Sequence, residues 1–287
     1  GIQGSLPSHP ELLDWLAVQF SAPSPSPSET EAASEAEGAM NWSMKKLCRL
    51  IVLSATYRQS ARVDPKKLAA DPQNRLLSRS PRFRLPAETI RDQALAVSGL
   101  LSLKTGGAPV MPPQPPGIWK ATYSQIKWET SSGEDRYRRA LYTFWRRTSP
   151  YPSMLMFDAG SREVCVIRRV RTNTPLQALV TLNDPVFVEA AGALAQRLVE
   201  SGTDDRGRIL SGIRRVLMRE TTAAEIAEVQ QFVDETRANF VEDPGAAGQL
   251  VKAVGITDSG QTSVVELATW TVVGNALLNL DEFLTRN

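Results

Sequence analysis

Residues Arg136 to Pro185 read RYRRALYTFWRRTSPYPSMLMFDAGSREVCVIRRVRTNTPLQALVTLNDP, and the two halves of this stretch behave differently. Its first 36 positions hold nine arginines and six Tyr, Phe or Trp residues against the acids Asp158 and Glu163. From Arg171 onward the chain turns into helix starts. Thr174-Pro175 and Asp184-Pro185 each place a capping residue before a proline, and proline lacks an N–H that the first helical turn would leave unbonded anyway. Thr174 with Gln177 has the spacing of a capping box. Between Arg139 and Thr148, Leu141, Thr143 and Trp145 alternate with Tyr142, Phe144 and Arg146. That period of two predicts a strand, with a helix as the competing reading.

Working outward, helix signals dominate. Ser8-His9-Pro10-Glu11 has the form of a capping box, with Leu12, Trp15, Leu16 and Phe20 following on one stripe. A helix is expected from about Ser43 to Tyr57, and its run LIVLSATY is too continuous for an exposed helix, which predicts a central position. Another runs from Pro86 to about Leu100. Thr222 with Glu225 opens one carrying Ile226, Val229, Val233 and Phe240, and Ser263 with Glu266 opens one reaching about Leu280. The expected fold is mainly α, an irregular multi-helix domain with a small β or extended middle segment. Its parts are an N-terminal helical part (1–105), a Pro/Gly-rich extended segment (106–135), an Arg-aromatic strand or loop segment (136–172) and a C-terminal helical part (173–287). Within the first, 22–39 (APSPSPSETEAASEAEGA) lacks large apolar residues and is expected to be a flexible insertion. GGAPVMPPQPPG at 106–117 favours extended backbone and suits a linker or a loop strapped across a surface. The parts are expected to form one cooperative domain. Since the chain begins with Gly1, it reads as a fragment of a longer protein.

Composition excludes several functions. The 287 residues carry a formal charge of only +2, so no global field argues for a nucleic-acid partner. The basic residues are 25 arginines and eight lysines, and the arginine fork suits carboxylates, phosphates and sulfates. No apolar run reaches the ~18 residues of a membrane span. His9 is the only histidine and Cys48 and Cys165 the only cysteines, too few for a four-ligand zinc site, so no metal is expected. Cys48, inside an apolar run, reads as a small buried hydrophobe. Nucleotide-binding glycine loops, metalloprotease HExxH and serine-hydrolase GxSxG patterns are all absent from the sequence.

Two kinds of candidate remain. Asp158 and Glu163, with Asp14 and Asp184 less favoured, are the carboxylates from which an acid–base pair could be drawn, although carboxylates among arginines usually form ion pairs or caps. Tyr142, Phe144, Arg146 and Arg147, then Arg168, Arg171 and Asn173 before a helix start, are the binding candidates. Rings stack on sugar or base faces, and guanidinium groups hold anions. Each has a structural alternative, as core, ion pair or turn residue.

PSHPELLDWLA (7–17), LIVLSATYRQS (50–60), RFRLPAETIRDQAL (82–95), YTFWRRTSPYPSM (142–154), RTNTPLQALVTLNDPVFVEAA (171–191) and LLNLDEFLTRN (277–287) resemble, in order, segments of the planctomycete secreted domain family, whose function is unknown. The resemblance implies an exported protein, periplasmic or extracellular, in which a cytochrome c-type domain often lies elsewhere. This chain lacks a CxxCH haem site, so no cofactor is expected in it; the resemblance allows haem c elsewhere in the full-length protein. The 22–39 insertion and Cys48 depart from the family pattern, while Cys165 lies in its REVC motif. The resemblance supplies no catalytic residues. The expectation is an accessory or binding domain that holds an anionic polysaccharide or a partner domain on its Arg-aromatic surface. The rivals are a polysaccharide-active hydrolase with paired carboxylates and a purely structural helical scaffold.

Overall fold

A computed structural model describes residues 6–23, 40–115, 117, 127–160, 162–163, 165–166, 168–202, 204–255 and 262–286. The fold is mainly α, with a two-strand antiparallel ribbon. The chain divides into two compact units, Gly1–Arg82 and Phe83–Arg286. From residue 24 on, the expected insertion lies outside the described residues, as do 116 and 118–126 of the Pro/Gly-rich segment.

The first unit holds α1 (Pro10–Ser21), α2 (Met44–Leu53) and α3 (Pro65–Ala70). Ser43 and Asp64 cap α2 and α3, accepting from the Lys46 and Lys66 N–H groups. The box expected at Ser8 does not form: His9 takes the cap position of α1, and Ser8 Oγ bonds His9 Nδ1 at 2.9 Å instead. None of these helices has a buried residue. The central position predicted for LIVLSATY is therefore corrected, since Ile51, Val52 and Leu53 are 40%, 43% and 58% exposed. Successive helical residues point about 100° apart, so burying all three needs cover on several sides, which the described residues do not supply. Cys48 is likewise exposed, and both cysteines are free thiols.

The second unit is built around α11 (Val264–Leu278), which is largely apolar around its circumference and buried from Leu267 to Leu278 except at Val272 and Ala276. A helix apolar all round is covered all round. Here α7 (Pro185–Ser201), α9 (Ala223–Glu242) and α10 (Pro244–Ala253) do so, while α4 (Ala87–Ser98) and α8 (Asp205–Leu217) pack on α7. Small residues let α7 and α11 approach closely. A Cβ built on Gly274 would sit 3.1 Å from the Ala191 carbonyl oxygen. Asp184 ends α6 (Pro175–Asn183) and caps α7, accepting from the Val186 N–H at 3.0 Å, and the two helices bend by 58° there. Thr222 and Glu225 form the expected capping box of α9. Thr174 and Ser263 stand at the cap positions of α6 and α11, but their side chains make no cap bond.

The strand expected at Arg139–Thr148 is not there. The chain forms short 3-10 turns, Gly133–Tyr137 and Ala140–Tyr142, with isolated parallel bridges Ser102↔Arg138 and Val110↔Thr143. This segment is gripped from inside instead. Buried Arg138 donates to the carbonyls of Gly106 and, at 3.1 Å, Ala108, and lies 3.8 Å over the Tyr142 ring. The Pro-rich segment is strapped down on this frame. Tyr151 OH donates to the Pro113 carbonyl at 2.6 Å, and Trp128 Nε1 to that of Pro112 at 2.9 Å. Proline supplies no N–H for a ladder, so side chains must hold it through its carbonyls.

No single described helix is long and apolar enough to cross a membrane.

Candidate functional site

The ribbon joins the ends of the second unit. β1 (Phe83–Arg84) pairs with β2 (Thr285–Arg286), which follows the short helix α12 (Asp281–Leu284), and the Leu85 N–H donates to the Leu284 carbonyl at 2.9 Å. Phe83 presents a ring to two cations: the guanidinium carbon of Arg171 lies 4.3 Å and that of Arg286 5.8 Å from its centroid. Both lie in the range of cation–π attraction. Beside it, the Arg84 side chain is only 10% exposed. Arg84 Nη2 donates to Asn173 Oδ1, and Nη1 lies 3.9 Å from Asp281 Oδ1. Arg84 Nε and Nη1 have no hydrogen-bond partner among the described residues.

The turn carrying Arg171 and Asn173 is clamped from behind. Asp158 Oδ2 accepts from the Thr172 N–H at 2.7 Å and from its hydroxyl at 2.8 Å. Gln177 Nε2 donates to Thr172 Oγ1 and to the Met156 carbonyl, both at 3.0 Å. Gln177 is fully buried. Its Nε2 is committed to this clasp, while Oε1 has no hydrogen-bond partner among the described residues and the box with Thr174 does not form. On the same segment Arg169 forms a two-oxygen bond with Glu88, at 2.8 and 3.0 Å. Burial alone would raise the Glu88 carboxyl, but the bonds from Arg169 and its own backbone hold it below the ordinary value. Arg162 lies 4.8 Å over the Trp145 ring.

The binding candidates thus divide. Arg171 and Asn173 come together. Tyr142 turns inward, its hydroxyl accepting from the Gly106 N–H at 2.9 Å beneath Arg138. Phe144 is half-buried and its N–H donates to the Val110 carbonyl. Arg146, half-buried, donates to Thr148 Oγ1 at 3.2 Å, while Arg147 and Arg168 are exposed. Phe83, Arg84 and Arg286 were missed by sequence reasoning. The signal available was the RFR run at 82–84, whose partners lie far along the chain.

Of the carboxylates, half-buried Asp158 serves the clasp and Glu163 is exposed. A 280 Å³ cleft elsewhere is lined by Glu225, Glu228, Asp281 and Glu282 among apolar side chains. Arg219 bonds Glu225 at 2.5 Å and Glu282 at 2.7 Å, and with the capping-box bonds it pulls the Glu225 carboxyl down to about 2. An acid–base pair needs one protonated partner, and Glu225 is held ionised. Asp184 is the carboxyl moved the other way: burial pushes it up to about 6, against bonds from Val186 and Ser153 and the charge of Arg91. It is sealed in the core as a cap. Among the described residues no group of three or more His, Cys, Asp or Glu side chains could hold a metal.

The fold and site define a class: a mainly helical domain carrying an arginine-dressed ribbon and turn. The match to a known family covers residues 1–233, and the chain belongs to that family, PSD1, proteins of unknown function (DUF1553). Neither a curated protein nor a solved structure gives a significant match.

Proposed function

We propose that this chain is an accessory binding domain of an exported protein, holding an anionic polysaccharide on its arginine-dressed face. The observation carrying this reading is the gathering of Arg84, Arg171, Arg286 and Asn173 around Phe83, with Arg168 exposed on the same loop. Guanidinium groups beside an aromatic ring offer both charge and a stacking surface to an acidic sugar. Export, and a haem c module elsewhere in the full-length protein, rest on the motif resemblance. A glycan array at two salt concentrations tests the reading. Acidic glycans are retained over neutral ones, the signal falls several-fold from about 0.05 to about 0.3 M salt, and Arg168→Ala with Arg171→Ala weakens it. Equal retention of neutral glycans, or a signal untouched by the double variant, contradicts it.

A specific observation favours a second reading, a scaffold that docks a neighbouring domain: α1 and α2 leave Leu12, Leu13, Trp15, Val18, Ile51 and Leu53 exposed. Exposed apolar surface of this kind marks interaction sites.

A further inference from the structure

We infer that Arg171, Asn173 and Arg286 form a site for one compact tetrahedral oxyanion, the terminal group of a sulfate or phosphate ester, with Arg84 as a positioning residue beneath it. The inference deepens the binding reading above and rests on it.

Arg84 fixes the orientation of Asn173. An amide side chain carries an acceptor oxygen and a donor nitrogen on opposite edges. Arg84 Nη2 donates to Asn173 Oδ1, so the acceptor edge is turned toward Arg84 and the Nδ2 donor edge turns away from it. Asn173 is an exposed residue. Arg171 is exposed two residues earlier, and its guanidinium shares the Phe83 ring with that of Arg286. With Asn173 Oδ1 taken by Arg84, the remaining groups on Arg171, Asn173 and Arg286 are donors, which suits an anion rich in oxygens, with the Asp281 carboxylate the nearby acidic group. Three donors arriving from separate backbone positions suit the three terminal oxygens of a sulfate or phosphate ester better than the two of a carboxylate.

The Arg84 side chain is nine-tenths buried, two of its nitrogens have no hydrogen-bond partner among the described residues, and the Asp281 carboxylate stands 3.9 Å away. A buried cation so incompletely paired is costly, and an anion placed just above it lowers that cost. The clasp of Asp158, Thr172 and Gln177 holds the turn, so the donors are set before a ligand arrives.

The test titrates the whole chain with inorganic sulfate, inorganic phosphate, an O-sulfated and an O-phosphorylated monosaccharide, using calorimetry and thermal shift. Chloride at matched ionic strength is the reference. Saturable binding is expected with at least one ester and its inorganic anion and none with chloride, and the stronger ester identifies the source. Arg171→Ala weakens binding about tenfold or more, the loss of a charge-assisted bond. Asn173→Asp keeps the Arg84 contact, turns the donor edge into an acceptor, and abolishes binding while circular dichroism stays native. Arg214→Ala, an exposed arginine on α8, leaves it unchanged. Identical responses to chloride, or wild-type affinity in both Arg171→Ala and Asn173→Asp, overturn the site. Polysaccharide binding that persists in Asn173→Asp removes this site while leaving the broader reading in place. Oxyanion binding without polysaccharide binding does the reverse.

Discussion

Single residues in this protein are set by where their charge is buried. Asp184 is the clearest case. Its folded pKa of about 6 lies above the ordinary carboxylate value because burial disfavours the anion. With a raised pKa, the folded state holds its proton where the unfolded chain has lost it. Its contribution is therefore complete below about pH 4 and is lost as pH rises toward 6. Two pKa units set an upper limit of ~3 kcal/mol. Asp184→Asn keeps a good helix cap and removes the buried charge. Urea unfolding is expected to show this variant at least as stable as the parent at pH 7, by ~1 kcal/mol, with a flatter profile between pH 4 and 6. A variant clearly weaker at pH 7, with the pH slope intact, would show that the charge is needed by Arg91. That arginine is itself buried, and it donates to the Arg138 carbonyl at 2.7 Å.

At the scale of elements, the closest contact decides the packing of α7 on α11. Gly274→Ala places a Cβ 3.1 Å from the Ala191 carbonyl oxygen, part of a helix backbone that cannot swing away. The overpacking, ~1–3 kcal/mol, exceeds the helix gain of ~1 kcal/mol, so the variant loses stability. Gly248→Ala on α10 meets nothing within 4 Å and is expected to gain ~0.5–1 kcal/mol. Thermal unfolding of the pair checks both signs. Elements were legible where their chemistry is local. Ser43, Asp184 and Thr222 cap their helices as their spacing indicates, since cap and partner lie within a turn. Three boxes failed. His9 takes the cap position expected of Ser8, Gln177 points its Nε2 to Thr172 and Met156, and Glu266 is drawn to the distant Arg208 and Arg237 and to the Trp270 indole. The period-two pattern at 139–148 misled because it does not match burial: Leu141 is exposed and Thr143 buried although they share a phase, and Arg138 and Tyr142 are held by the strap at 104–110 rather than by a sheet. The site was half legible. Arg171 and Asn173 sit in one arginine-rich run, but Phe83, Arg84 and Arg286 join them only through a ribbon pairing positions some two hundred residues apart.

At the scale of the molecule, the account places recognition on the second unit, where α11 and its covering helices hold a rigid frame and the ribbon closes its two ends. The apolar side chains left open on α1 and α2 are the competing surface. Hydrogen–deuterium exchange of the whole chain, with and without a bound acidic glycan, separates the two. Protection is predicted at 83–85, 168–173 and 285–286, with α1 and α2 unchanged. Protection confined to α1 and α2, with none at the ribbon or the 168–173 turn, would contradict the account.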